Sequence, residues 1–203
     1  MNICLHEFEV KGILDGMITE LWRPVKIQPL YDGCKLERLL DSTAKEDTKN
    51  IGKLRWEDTD KYFDCPFGPI GTRIVGKETW LSAGYDNYGQ DKLKQYLFYK
   101  ADGWAKGKMK DWGMAHSKIP PNLIWRLSTS MPSWASRITL INAGVEVKQV
   151  RETTWSEMKA AGFESVEQFD GCFAEVWNHY NAPKYPFESA YGWRLKFKAE
   201  VKK

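Results

Sequence analysis

The side chains that ligate metals or attack carbonyls are dispersed along this chain. The cysteines are Cys4, Cys34, Cys65 and Cys172, and the histidines are His6, His116 and His179. No CxxC pair occurs, so the pattern excludes an ordinary structural zinc site and predicts free, reduced thiols. Asp58, Asp60 and Asp64 are spaced like metal ligands, but the EF-hand register is absent, and a solvated acidic loop is the simpler expectation. There is no P-loop, GxGxxG, HExxH or GxSxG, and no cofactor is called for. What remains is chemistry of recognition. The chain holds 10 Trp beside 9 Tyr and 9 Phe. Between Trp104 and Trp112, Lys106, Lys108 and Lys110 interleave cations with rings. That stretch reads either as a solvated loop whose rings cover the core or as a surface for phosphate and bases.

The 203 residues suit one domain with insertions or two small ones. The aromatic content excludes bulk disorder. Lys and Arg total 30 against 27 Asp and Glu, a net charge of +3. Such a balance permits nucleic-acid binding without demanding it. No apolar run is long enough for a membrane span, and the first residues lack a basic-then-apolar leader. The expected compartment is a cytoplasm.

The elements that must position these groups follow from periodicity and breakers. Val10, Ile13 and Leu14 with Gly16 behind them predict a short helix. Thr19–Arg23 reads as extended ahead of Pro24, and a helical stretch is expected around Leu36–Leu40. Cys65-Pro66-Phe67-Gly68-Pro69-Ile70-Gly71 must be a tight loop, followed by a strand over Thr72–Gly76. Tyr96–Tyr99 predicts a strand. Arg137–Ile141 and Val145–Val150 predict two more, with Asn142-Ala143-Gly144 as a bend or bulge between them. Thr154 and Glu157 have capping-box spacing, so a helix starts there and stops at Gly162. Ser165–Gln168 repeats the signal ahead of a helix reaching about Asn178. Trp193–Val201 alternates as a half-buried strand whose outer face, with Lys196 and Lys198, reads as cationic. Mixed rather than regularly alternating elements predict an α+β fold with a small, strongly bent sheet or barrel.

Two blocks carry a resemblance. Cys65-Pro66-Phe67-Gly68-x-x-Gly71-x-Arg73 with Lys77-Glu78-Thr79-Trp80 is one, and Ser130-Met131-Pro132-Ser133-Trp134-Ala135-Ser136-Arg137-Ile138-Thr139-Leu140 is the other. Together with Ile13-Leu14-Asp15-Gly16, Arg23-Pro24-Val25-Lys26-x-Gln28-Pro29 and a terminal Trp193, they resemble ASCH-domain proteins of phages and prophages. The resemblance spans most of the chain, leaving insertions at about 35–60 and 84–118. It implies a single PUA-like domain over 1–203, a pseudo-β-barrel with flanking helices. It also implies nucleic-acid work, because PUA-like domains bind RNA or modified bases.

Hydrolytic members of that family, acetylated-cytidine amidohydrolases or ribonucleases, carry Gly-x-Lys-x-x-Thr-x-Arg and a distant Glu. Gly16 and Arg23 match. The Lys position is Ile18, the second Thr position is Leu21, and the distant Glu aligns loosely with Ala161. Hydrocarbon cannot transfer protons or attack, so loss of the amidohydrolase chemistry is expected. Thr19, Glu20 and Glu78 remain as weak catalytic candidates, Thr19 and Glu20 pointing to opposite faces of a strand. Expected nucleic-acid contacts are Arg23, Arg73, Lys77, Glu78, Trp80, Trp134, Ser136 and Arg137. Each has a plain alternative: the tryptophans as core, the arginines paired with acids, Ser136 as a strand cap, Trp22 as filler of the old pocket. A rearranged hydrolase, or a phage protein that binds and inhibits a host protein, stays open beside nucleic-acid recognition.

Overall fold

A computed structural model of the chain describes residues 1–30, 34–38, 53–82, 97–102, 125–163 and 169–202. The basic stretch around Trp104–Trp112 and the capping signal at Ser165–Gln168 lie outside the described residues. The fold is α+β. Its elements are β1 (Asn2–Cys4), α1 (Glu7–Leu14), β2 (Glu20–Pro24), β3 (Leu36–Arg38), β4 (Leu54–Trp56), β5 (Arg73–Lys77), β6 (Trp80–Ser82), β7 (Leu97–Tyr99), β8 (Ile138–Gln149), α2 (Trp155–Ala160), α3 (Phe169–Asn181) and β9 (Tyr191–Val201). A mixed five-stranded sheet has the order β1-β5-β8-β9-β2; β3-β4 and β6-β7 are separate pairs. The described residues group into two compact units, each discontinuous in sequence.

The first unit comprises Met1–Ile18, Arg73–Ile141 and Lys198–Lys203. β1 runs parallel to β5, and β5 pairs antiparallel with β8 from Arg73↔Ile141 to Gly76↔Ile138. Helix α1 forms where periodicity places it. The Glu9 carboxylate accepts from the His6 N–H at 2.8 Å, and Gly16 takes the left-handed conformation at φ +74° that ends the helix without a Cβ penalty. Val10 and Ile13 face inward with Ile74, Ile138 and Leu140.

The second unit comprises Thr19–Thr72 and Asn142–Phe197. β2 and β9 pair antiparallel from Glu20↔Lys196 to Pro24↔Gly192. Helices α2 and α3 bury Met158, Phe173 and Trp177 with Trp22 and Val150. A second aromatic group joins Trp56 to Tyr191 at 4.7 Å between centroids and Phe63 and Phe67 to Trp193.

Two local expectations are corrected. Leu36–Arg38 is a strand, not a helix: Leu36 stands opposite Trp56, and pairing with β4 overrides a short apolar spacing. Residues 138–149 form one strand without interruption. Asn142 keeps the alternation of buried positions after Ile138 and Leu140 because its amide is satisfied where it is buried. Its Nδ2 donates to the carbonyls of Phe67, Gly68 and Pro69 at 2.9–3.4 Å, and its Oδ1 accepts from the Gly144 N–H at 2.9 Å. The breaker-rich loop is thereby clamped onto β8.

Candidate functional site

In the first unit, the chain leaving β5 places Glu78 inside, its side chain 2% exposed. The turn before β8 brings Arg137 against it. Arg137 Nε and Nη2 donate to the two Glu78 oxygens at 2.9 and 3.0 Å. The same guanidinium reaches Asp102 at 2.7 and 2.9 Å and lies 4.1 Å over the Tyr99 ring. Burial pushes the Glu78 carboxyl above its ordinary value, and Arg137 pulls only part of the way back. Burial works against the Arg137 charge too, but its bonds to both carboxylates win and hold the proton more firmly. Burial, with the charge of Glu78 adding to it, pushes the Tyr99 phenol up to about 12. Glu78 and Arg137 thus tie the two resemblance blocks together. A carboxylate bound at both oxygens is poorly placed to take a proton from a substrate.

The other expected contacts of this unit take mostly structural positions. Trp80 is 2% exposed and packs with Met131 and Ala135. Its indole N–H points to Ser130 Oγ at 3.4 Å, and Arg126 lies over its ring at 5.4 Å. Trp134 is half-buried against that cluster. Ser136 is buried and bonds the Gly76 carbonyl at 2.6 Å. Arg73 is exposed and pairs with Glu200 at 2.6 Å. Lys77 is half-buried at the end of β5.

The motif segment divides between the units. Ile18, 3% exposed, ends the first and packs over Gly12 of α1. In the second, Thr19 is exposed, with its backbone held by Ala160 and Phe197. Glu20 is buried, and its oxygens accept from Arg194 Nε and Nη2 at 2.7 and 2.8 Å. Leu21 is 2% exposed and Trp22 6%. Arg23 Nη1 donates to the Trp22 carbonyl at 2.7 Å. Arg194 also serves Glu157 at 2.6 Å and Glu146 at 2.9 Å, while Lys148 bonds Glu157 and Lys196 bonds Glu146. The outer face of β9, expected to be cationic, is therefore largely neutralised by acids from β2, β8 and α2. Bonding to Glu20 raises the Arg194 pKa despite burial.

Sequence reasoning missed Asp102, Tyr99 and Arg126, which reach the site through pairings that no local pattern announces. It also missed a cleft of the second unit, about 340 Å³, lined by Gln28, Leu30, Lys184, Tyr185 and Ser189 among others. Cys4, Cys34 and Cys65 carry free thiols. Among the described residues, no group of three or more His, Cys, Asp or Glu is arranged to hold a metal. No described helix is long and apolar enough to cross a membrane.

No family model, curated protein or solved structure matches the chain. Its own side chains therefore carry the functional reading.

Proposed function

We propose that the chain is a nucleic-acid-binding module of the ASCH, PUA-like type, made by a phage or prophage and acting in a bacterial cytoplasm. It recognises RNA or a modified nucleotide without hydrolysing it. The observation that carries this reading is the hydrocarbon where hydrolases of that family hold proton-transfer groups. Ile18 and Leu21 are 3% and 2% exposed, packed as core, and the neighbouring Glu20 carboxylate is bound at both oxygens by Arg194. Nothing at those positions activates a nucleophile.

Recognition asks for less: a π-face, a cation and a few hydrogen bonds. Each unit offers such groups by itself: the first has half-exposed Trp134 and the Arg126 cation, the second has Lys184 over the Tyr185 ring. The test is a panel of single-stranded and modified oligonucleotides together with acetylated cytidine. The expected result is submicromolar binding that weakens with added salt, and no turnover. Turnover abolished by Thr19→Ala or Glu78→Gln would establish the hydrolase instead. A stoichiometric, nuclease-resistant host protein in place of nucleic acid would establish the protein-binding alternative.

A further inference from the structure

The described cations differ in what they are bound to. Arg137, Arg194, Arg73 and Lys148 each hold at least one carboxylate. Lys184 holds none among the described residues; its ammonium lies 5.2 Å from the centroid of the Tyr185 ring. Both residues line the cleft of the second unit. Its volume, about 340 Å³, is at the small end of ligand sites. That is room for one base and its sugar, and too little for a duplex or a folded peptide.

The walls are fixed before any ligand arrives. Gln28 is clipped to Tyr191: its Nε2 donates to the Tyr191 carbonyl at 3.0 Å and its Oε1 accepts from the Tyr191 N–H at 2.7 Å. Trp177 Nε1 donates to the Tyr185 carbonyl at 2.7 Å, and Asn178 Oδ1 accepts from the Phe187 N–H at 2.9 Å. The backbone at Tyr185 is therefore fixed, and its side chain packs against the cluster of Trp22, Phe173 and Trp177, so ordering it on binding costs little. Its hydroxyl lies 3.5 Å from the Lys26 carbonyl, a contact at the outer limit of a hydrogen bond, so the ring face rather than the hydroxyl is what the residue offers. Leu30 forms an exposed apolar wall, and Ser189 offers a hydroxyl.

We propose that this cleft seats one unpaired base of a single-stranded nucleic acid on the Tyr185 ring, with the adjoining phosphate on Lys184. The base takes the ring face that the ammonium now covers, and the ammonium moves to the phosphate. Both partners gain, because a stacked base replaces a cation–π contact and a phosphate replaces water at the cation. This assignment rests on the nucleic-acid reading above.

The experiment titrates the full chain into fluorescein-labelled single-stranded RNA, and DNA of the same sequence, over a range of salt. Tyr185→Leu should weaken binding by about 5- to 100-fold, and Tyr185→Phe should stay near wild type. Lys184→Gln, an exposed change that leaves packing intact, should lower the slope of log K against log salt by about 0.7. Wild-type binding with both Tyr185→Phe and Lys184→Gln behaving as expected supports the site even if Tyr185→Leu fails to fold. Wild-type binding that Lys184→Gln and a folded Tyr185→Leu leave unchanged overturns the cleft assignment and spares the nucleic-acid reading. Absence of wild-type binding to either strand overturns both.

Discussion

Replacing Arg137 with Met removes the cation that two carboxylates share. The structure gives the magnitude. Glu78 loses both hydrogen bonds, at 2.9 and 3.0 Å, while its side chain is 2% exposed and cannot turn to water. Breaking a buried pair from one side costs about 3–5 kcal/mol. Asp102, 40% exposed, recovers its solvation, so its share is at most about 1 kcal/mol. The Tyr99 stacking adds about 0.5–2 kcal/mol. The expected loss at about pH 7 is thus about 3.5–8 kcal/mol, measured by urea unfolding with the slope m checked for constancy. The pH dependence has a definite sign. Burial already raises the Glu78 carboxyl, and without Arg137 it rises further. The folded variant then binds more protons than the unfolded chain, so its stability increases as pH falls from the raised value to the ordinary one near 4.3. Adding Glu78→Gln to the variant should recover part of the loss at about pH 7, because a neutral amide needs no cation. A loss under about 1 kcal/mol, or one independent of pH, would refute the claim that Glu78 is a buried charge held by Arg137.

Asn142→Ala should cost about 1–3 kcal/mol and speed proteolysis within 65–71, because carbonyls of Phe67, Gly68 and Pro69 lose their donor. Trp22→Phe and Trp177→Phe should differ in urea unfolding. Among the described residues the buried Trp22 indole N–H has no partner, so its removal relieves a cost, whereas Trp177 forfeits its bond to Tyr185; the Trp177 change should be worse by about 1 kcal/mol or more. Burial alone would raise Glu157, but the Thr154 N–H, Lys148 and Arg194 prevail and hold its carboxyl below the ordinary value. Its stabilisation is full above the unfolded value near 4.3 and is lost as pH falls through the lowered one, so Glu157→Gln should flatten that part of the acid-unfolding curve.

Local patterns made much of the fold legible. The Val10–Ile13 spacing with Gly16, the Thr154–Glu157 capping box and the alternation of Trp193–Val201 each recur as α1, α2 and β9. What stayed hidden depends on partners far along the chain. Leu36 becomes a strand because Trp56 stands opposite it. Asn142 reads as a breaker until the carbonyls of the 67–69 loop are seen to need its amide. Trp80 could have been a stacking surface; its pairing with Tyr99 across β6 and β7 makes it core. The arginines show the same limit. Arg194 looks like one cation of a basic strand until Glu20, Glu146 and Glu157 meet it from three elements. Lys184 and Tyr185 carried no signal, because adjacent residues in a turn-rich stretch line a cleft only when the fold brings Gln28 and Leu30, more than 150 positions away, to the same place.

The most direct test of recognition without hydrolysis is a salt titration of single-stranded RNA bearing acetylated cytidine, with the mass of the recovered RNA read at the end point. Saturable, salt-weakened binding with the RNA recovered intact is the expected result. Absence of binding, or recovery of RNA that has lost its acetyl group or been cut, would contradict the account.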